Sequence, residues 1–255
     1  MRNIALLIEY DGTAYGGWQI QKNGNSIQGI IEKSLSTMFQ ENVKAIGAGR
    51  TDAGVHAKGQ VANFHTSSKW KCEKIQFSGN GLLPVDISIR KATEVPETFH
   101  ARYDAVLRRY VYRIVTSKTP TERLYTSFVP FTLSVDAMTE ATSLILGTND
   151  FRSFTKHASE RSPKLHDETF ICNVSRASWT MEHQDLTFVI EADRFLYGMV
   201  RAIVGALIAV GRGRLSASEF RAIMETGERR NAPMSAPAAG LTLDEVIYAF
   251  DLWGR

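Results

Sequence analysis

The succession of apolar runs, turn signals and helical spacings predicts an α+β protein built from two ferredoxin-like halves. Three observations lead there. Strand-like and helix-like segments follow the order β-α-β-β-α-β through residue 94. The same order returns from Arg109 onward. Hydrophobic residues make up 44% of the 255 positions and charged residues 22%, the proportions of a globular chain long enough for one large domain or two small ones. The division expected is 1–104 and 105–255, with the antiparallel sheets of the halves joining around a central cleft. No sequence self-similarity is strong enough to prove a duplication, so the repeat is one of architecture.

The elements follow in order. Asn3–Tyr10 (NIALLIEY) is an apolar strand closed by the turn signal Asp11-Gly12. Ser26 is a suitable N-cap for a helix with Ile27, Ile30, Ile31, Leu35 and Met38 at helical spacing. Val43–Ile46 and Gln60–His65 read as strands, Glu73–Asn80 as a helix ending near Gly81 and Pro84, and Ile87–Thr93 as a strand. In the second half, Arg109–Val115 alternates with Tyr110, Tyr112 and Ile114 on one face. Ser134 caps a helix carrying Val135, Met138, Ile145 and Leu146. Strands follow near Ile171–Met181 and Asp185–Ala192, then an apolar helix from Leu196 to Val210, a short helix from Ser216 and a last strand, Glu245–Leu252. Loops at 116–133, 149–168 and 226–242 are longer than the bare fold needs.

Between two of these strands lies Gly47–Gly59, GAGRTDAGVHAKG. A polar, glycine-rich loop between strands presents chemistry rather than packing, and this one carries Arg50, Asp52 and His56. Asp52 stands where a dinucleotide fingerprint needs its third glycine, and a strand pattern follows, and both argue against a nucleotide-binding turn. A structural turn with Asp52 bonding backbone amides is the bland alternative.

Other residues stand out from their surroundings. Arg201 interrupts the apolar helix, with Gly198 and Gly205 on its side leaving room for a close neighbour. A buried guanidinium needs a carboxylate or phosphate opposite, whereas a snorkelling arginine packs its stem and reaches water. Tyr110 and Tyr112 follow Arg108 and Arg109, a pattern that serves either base stacking or simple strand packing.

The six histidines form no compact ligand set, no Walker loop or nucleophile elbow is present, and neither a metal nor a cofactor is implied. Cys72 and Cys172 match no metal spacing and read as reduced thiols of a cytoplasmic protein. No apolar run approaches the ~18 residues needed to span a membrane, and Glu9 and Asp11 end the first apolar run too early for a signal peptide. A net charge of +3 is compatible with a polyanionic partner without demonstrating one.

Several segments taken together resemble the TruA family of tRNA pseudouridine synthases. They begin with Tyr10-Asp11-Gly12-Thr13 and Gly17-Trp18-Gln19, and the most specific is Gly49-Arg50-Thr51-Asp52-Ala53-Gly54-Val55-His56-Ala57. Leu83-Pro84 with Asp86-Ile87, Phe99-His100-Ala101-Arg102, Arg109-Tyr110-Val111-Tyr112, Met199-Val200-Arg201 and Ala236-Pro237-Ala238-Ala239-Gly240-Leu241 follow in the family's order.

The resemblance implies isomerisation of uridine to pseudouridine at positions 38, 39 and 40 of the tRNA anticodon stem-loop, without a cofactor, by a homodimer. It implies that Asp52 is the catalytic aspartate and that Tyr110 stacks on the target base and helps remove its C5 proton. It implies too that Arg201 pairs with the aspartate and that Arg50 holds the target nucleotide flipped out. The stretch His157–Glu168 departs from the family pattern and bears on target choice. Two other readings remain: an RNA-binding module of similar fold without catalysis, and a glycosidase or nucleoside hydrolase using Asp52.

Overall fold

The computed structural model describes residues 1–21, 24–155, 170–183 and 185–254. Among them the strands are β1 (Arg2–Tyr10), β2 (Ile46–Gly47), β3 (His56–Thr66), β4 (Ile87–Val95), β5 (Ala105–Val115), β6 (Ser127–Phe128), β7 (Gly147–Asp150), β8 (Ile171–Glu182), β9 (Asp185–Ala192) and β10 (Leu241–Tyr248). The α-helices are α1 (Ile27–Phe39), α2 (Cys72–Leu82), α3 (Val135–Ser143), α4 (Met199–Gly211) and α5 (Ala217–Thr226). The protein is thus mixed α+β, and it divides into two compact units, Met1–Leu107 with Thr242–Arg255, and Arg108–Leu241.

In the first unit β1 is central, antiparallel to β3 on one side and β4 on the other. Its Ile4, Leu6 and Ile8 are fully buried, as are Ile27 and Ile31 of α1, Phe64 of β3 and Ile75 of α2. The Ser26 side chain accepts from Gly29 N–H and starts α1, as its sequence position predicts. The terminal strand β10 lies beside β3, with Thr242 opposite His56 and Leu243 opposite Ala57, and this pairing is parallel.

In the second unit β5 pairs antiparallel with β9, β9 with β8 and β8 with β7. The core gathers Tyr112, Phe188, Ile203, Leu207, Phe154 and Phe220, all fully buried. Ser216 and Glu219 form a reciprocal capping box that starts α5. Among the described residues no helix is long and apolar enough to cross a membrane.

Several expectations shift. The β3–β10 and β5–β6 pairs are parallel, where antiparallel sheets were expected throughout. Most of Val43–Ile46 is not strand: Val43 N–H is taken by Ser36 Oγ at 3.0 Å and Ala45 N–H by Glu32 Oε1 at 3.1 Å, so α1 side chains compete with the ladder. Helix α4 starts at Met199 rather than Leu196 because Gly198 is left-handed, at φ +72°. Ile145 and Leu146 lie past the end of α3, in tighter turns bonded three residues back. Strand β10 begins at Leu241, since Leu241 and Leu243 already bury their side chains. The stretch His157–Glu168 lies outside the described residues.

Candidate active site

The loop between β2 and β3 is anchored at its entry. Ala48 N–H donates to Val61 O at 2.7 Å, and Gln60 Nε2 donates to Gly49 O at 2.9 Å. The chain then reverses in a turn closed by Val55 N–H donating to Asp52 O at 3.2 Å, with Gly54 at φ +77°. Asp52 opens that turn and is half-buried, while Arg50 is exposed. Thus a carboxylate with restricted water access sits on a constrained turn, and a cation two residues away faces solvent.

A second loop, Asp11 to Trp18, braces the first from both ends. Trp18 N–H donates to Thr51 O at 3.1 Å, on one side of Asp52, and Gly54 N–H donates to Tyr15 O at 3.2 Å, on the other. The Tyr10 hydroxyl and Thr51 Oγ1 share a hydrogen bond of 2.8 Å, both residues being buried. Burial pushes the Tyr10 hydroxyl well above its ordinary pKa, which keeps it neutral. Gly17, at φ +101°, is required: a Cβ there would run into Thr51 O and the backbone of Asp52 and Ala53. Gly49, by contrast, faces open space, so close approach does not explain it.

His56 is buried at the start of β3, and Gly12 N–H donates to its Nδ1 at 3.1 Å. An Asp11 carboxylate oxygen lies 3.1 Å from the same nitrogen. His56 therefore ties the bracing loop to β3.

In the second unit, Tyr110 stands on β5 opposite Ile190 of β9 and meets Phe195 edge to face, ring centroids 5.1 Å apart. It is buried, at 7% exposure. Arg201 lies in the first turn of α4 and is half-buried. Its Nε donates to Ala236 O at 2.8 Å, and Ala236 N–H donates back to Arg201 O at 2.9 Å. The close neighbour expected on the small-residue side of α4 is this backbone, because a Cβ on Gly205 would run into Met234 O. The Tyr112 hydroxyl donates to Pro237 O at 2.9 Å. Burial raises that hydroxyl to about 12, against the opposing pull of the Arg201 charge. The segment Ala236–Leu241 therefore latches both Arg201 and Tyr112.

Residues 6–104 and 141–249 match a family model described as tRNA pseudouridine synthase. The chain belongs to that family. A tRNA pseudouridine synthase A of Bacteroides thetaiotaomicron is 43% identical over all of this chain and 94% of its own length. One of Acetivibrio thermocellus is 44% identical over 97% of this chain and all of its own. One of Roseiflexus castenholzii is 45% identical over 98% of this chain and 92% of its own. Among solved structures, a chain of a Cbf5-Nop10-Gar1 complex covers 81% of this chain and 54% of that one, at 12% identity and a TM-score of 0.32, too distant to carry an argument.

Within the synthase family's matched spans lie Arg50, Asp52 and Arg201; Tyr110 falls between the spans. Arg50 and Asp52 share one loop of the first unit, and Tyr110 and Arg201 belong to the second. The segments around Tyr10, Trp18 and Asp86 stand out in the sequence only as parts of the family resemblance, and Tyr15 carries no signal there.

Proposed function

We propose that this tRNA pseudouridine synthase family member isomerises uridine to pseudouridine at positions 38, 39 and 40 of the tRNA anticodon stem-loop, with Asp52 as the catalytic carboxylate. Family membership carries the coarser statement, that the chain is an isomerase making pseudouridine in tRNA. The single observation that supports the finer one is the setting of Asp52: a half-buried carboxylate opening a turn whose flanking backbone groups are both hydrogen-bonded to a bracing loop.

The reaction breaks the N1–C1′ bond, turns the uracil, joins C5 to C1′ and moves the C5 proton. A carboxylate serves it as a nucleophile at C1′ or as a base in an elimination route. A stem nucleotide must first leave its stack, which costs a few kcal/mol, and exposed Arg50 is suited to hold its phosphate once flipped. Tyr110 offers a ring to the base, and Arg201 a cation to favour the ionised aspartate. The proposal also takes the chain as two ferredoxin-like halves, working as a homodimer in the cytoplasm.

The test is tritium release from C5-labelled uridine in an unmodified tRNA with uridines at 38–40. Wild type releases tritium, and Asp52→Ala loses at least ~10³-fold in rate while still binding tRNA. Binding without release by the wild type would favour the RNA-binding reading, and free uracil would favour hydrolysis. Activity retained by Asp52→Ala would remove Asp52 from the chemistry.

A further inference from the structure

We infer that Tyr15 and Asp86 form a positioning pair that sets where the Asp52 turn stands; the inference rests on the assignment of Asp52 above. Tyr15 is the midpoint of the bracing loop. Its backbone carbonyl accepts Gly54 N–H at 3.2 Å, and its own N–H donates to Gly12 O at 3.0 Å. The far end of the loop is held independently by α1, since Ile27 N–H donates to Gly17 O at 3.1 Å and Gln28 N–H to Trp18 O at 3.0 Å. The middle is held by Gly16 N–H donating to Asn25 O at 2.8 Å and by the Tyr15 hydroxyl, which donates to Asp86 Oδ1 at 2.6 Å.

That bond is short and has a carboxylate acceptor, the stronger class of hydrogen bond. Tyr15 is buried, at 6% exposure, and Asp86 is half-buried. Asp86 grips the same loop a second time: its carbonyl accepts Asp11 N–H at 2.9 Å. Asp86 is itself fixed, because Ile87 N–H donates to Pro84 O at 3.1 Å and Ile87 then enters β4 opposite Tyr10 of β1. A continuous path of bonds thus runs from β4 through Asp86 and Tyr15 to Gly54, two residues from Asp52.

A phenyl ring alone would fill the space that Tyr15 occupies. The hydroxyl, aimed at one carboxylate oxygen, adds direction rather than volume. Removing it loosens the Tyr15 side of the loop while its ends and Gly16 stay pinned, and the shift is handed to the turn through the Tyr15–Gly54 bond. Both residues act through the turn rather than on the reacting nucleotide.

The experiment compares full-length wild type, Tyr15→Phe, Asp86→Ala, Asp86→Asn and Asp52→Ala. It measures tritium release with tRNA concentration varied, tRNA affinity by filter binding, and folded fraction by circular dichroism melting. Tyr15→Phe and Asp86→Ala are expected to lose about 10- to 100-fold in kcat per folded molecule, with KM and tRNA affinity unchanged. Asp86→Asn, whose amide oxygen still accepts the Tyr15 proton, stays close to wild type. The inference is overturned if Tyr15→Phe keeps its kcat, if Asp86→Asn is as damaged as Asp86→Ala, or if the losses vanish once corrected for folded fraction. Activity in Asp52→Ala would instead overturn the assignment of Asp52 on which the pair depends.

Discussion

Around Asp52 the chain is held by hydrogen bonds between two loops, whereas around Arg201 it is held by an apolar helix with a backbone segment lying on it. Of the Asp52 turn's own side chains, Val55 is the apolar one that is buried. The turn's place is set by Trp18 N–H on Thr51 O, Gly54 N–H on Tyr15 O, and the Tyr10–Thr51 side-chain bond. In α4, nine residues are buried, among them Ile203, Val204 and Leu207. Apolar burial fixes the axis of that helix with little directional preference. The carbonyl of Ala236 then gives the Arg201 guanidinium a direction. Directional bonds suit a group that must stay reachable by substrate, and burial suits the element that supports one. Perturbing the loop should therefore appear in kcat, and perturbing the helix in stability.

The sharpest way to test the contrast is a matched pair of glycine substitutions. Gly17→Ala places a Cβ against Thr51 O at a left-handed position. It should lower kcat about 10- to 100-fold per folded molecule, measured by tritium release. Gly205→Ala places a Cβ against Met234 O and should lower stability by about 1–3 kcal/mol in denaturant melts, with kcat per folded molecule much less affected. Equal kcat losses in both would break the contrast.

A smaller effect comes from Tyr112→Phe, which removes the bond to Pro237 O and should destabilise by about 0.5–1.5 kcal/mol. Burial holds that hydroxyl up at about 12. A raised folded pKa means that its stabilisation is fully present below the unfolded value, roughly 10, and is lost as pH rises toward the folded one. Melts at about pH 9 and about pH 11 should show a wild-type loss that is smaller in Tyr112→Phe. The smallest effect is expected at Arg113–Glu122, a 3.1 Å pair with both side chains 46% exposed. Arg113→Ala should change stability by less than ~0.5 kcal/mol, and a loss above ~1 kcal/mol would show that the second unit depends on surface charge.

Elements were most legible where one residue type has one physical role. Ser26, Ser134 and Ser216 each cap the helix that their position announces. Legibility failed where another residue's side chain or backbone conformation intervened. Val43 and Ala45 look like a strand, yet their N–H groups are claimed by Ser36 and Glu32 of α1. Leu196 continues an apolar helical pattern, yet the left-handed Gly198 delays the helix to Met199. At the site, Gly47 and Gly49 look alike in the sequence, yet a Cβ on Gly47 would lie 2.5 Å from the Trp18 ring while Gly49 faces open space, because a glycine's purpose is set by what lies across from it.

The sequence by itself determined the mixed α+β class, the starts of the three serine-capped helices, the family, and the loop that carries Asp52. Those features depend on local chemistry: capping oxygens, apolar period and a specific run of residues in order. Only the tertiary structure decided that β10 runs parallel beside β3, that Ala236 carbonyl faces Arg201, and that Tyr15 reaches Asp86. Each of these joins positions dozens or more residues apart, where the partner is selected by packing geometry and by the need of buried polar groups for hydrogen bonds, neither of which leaves a local pattern in the chain.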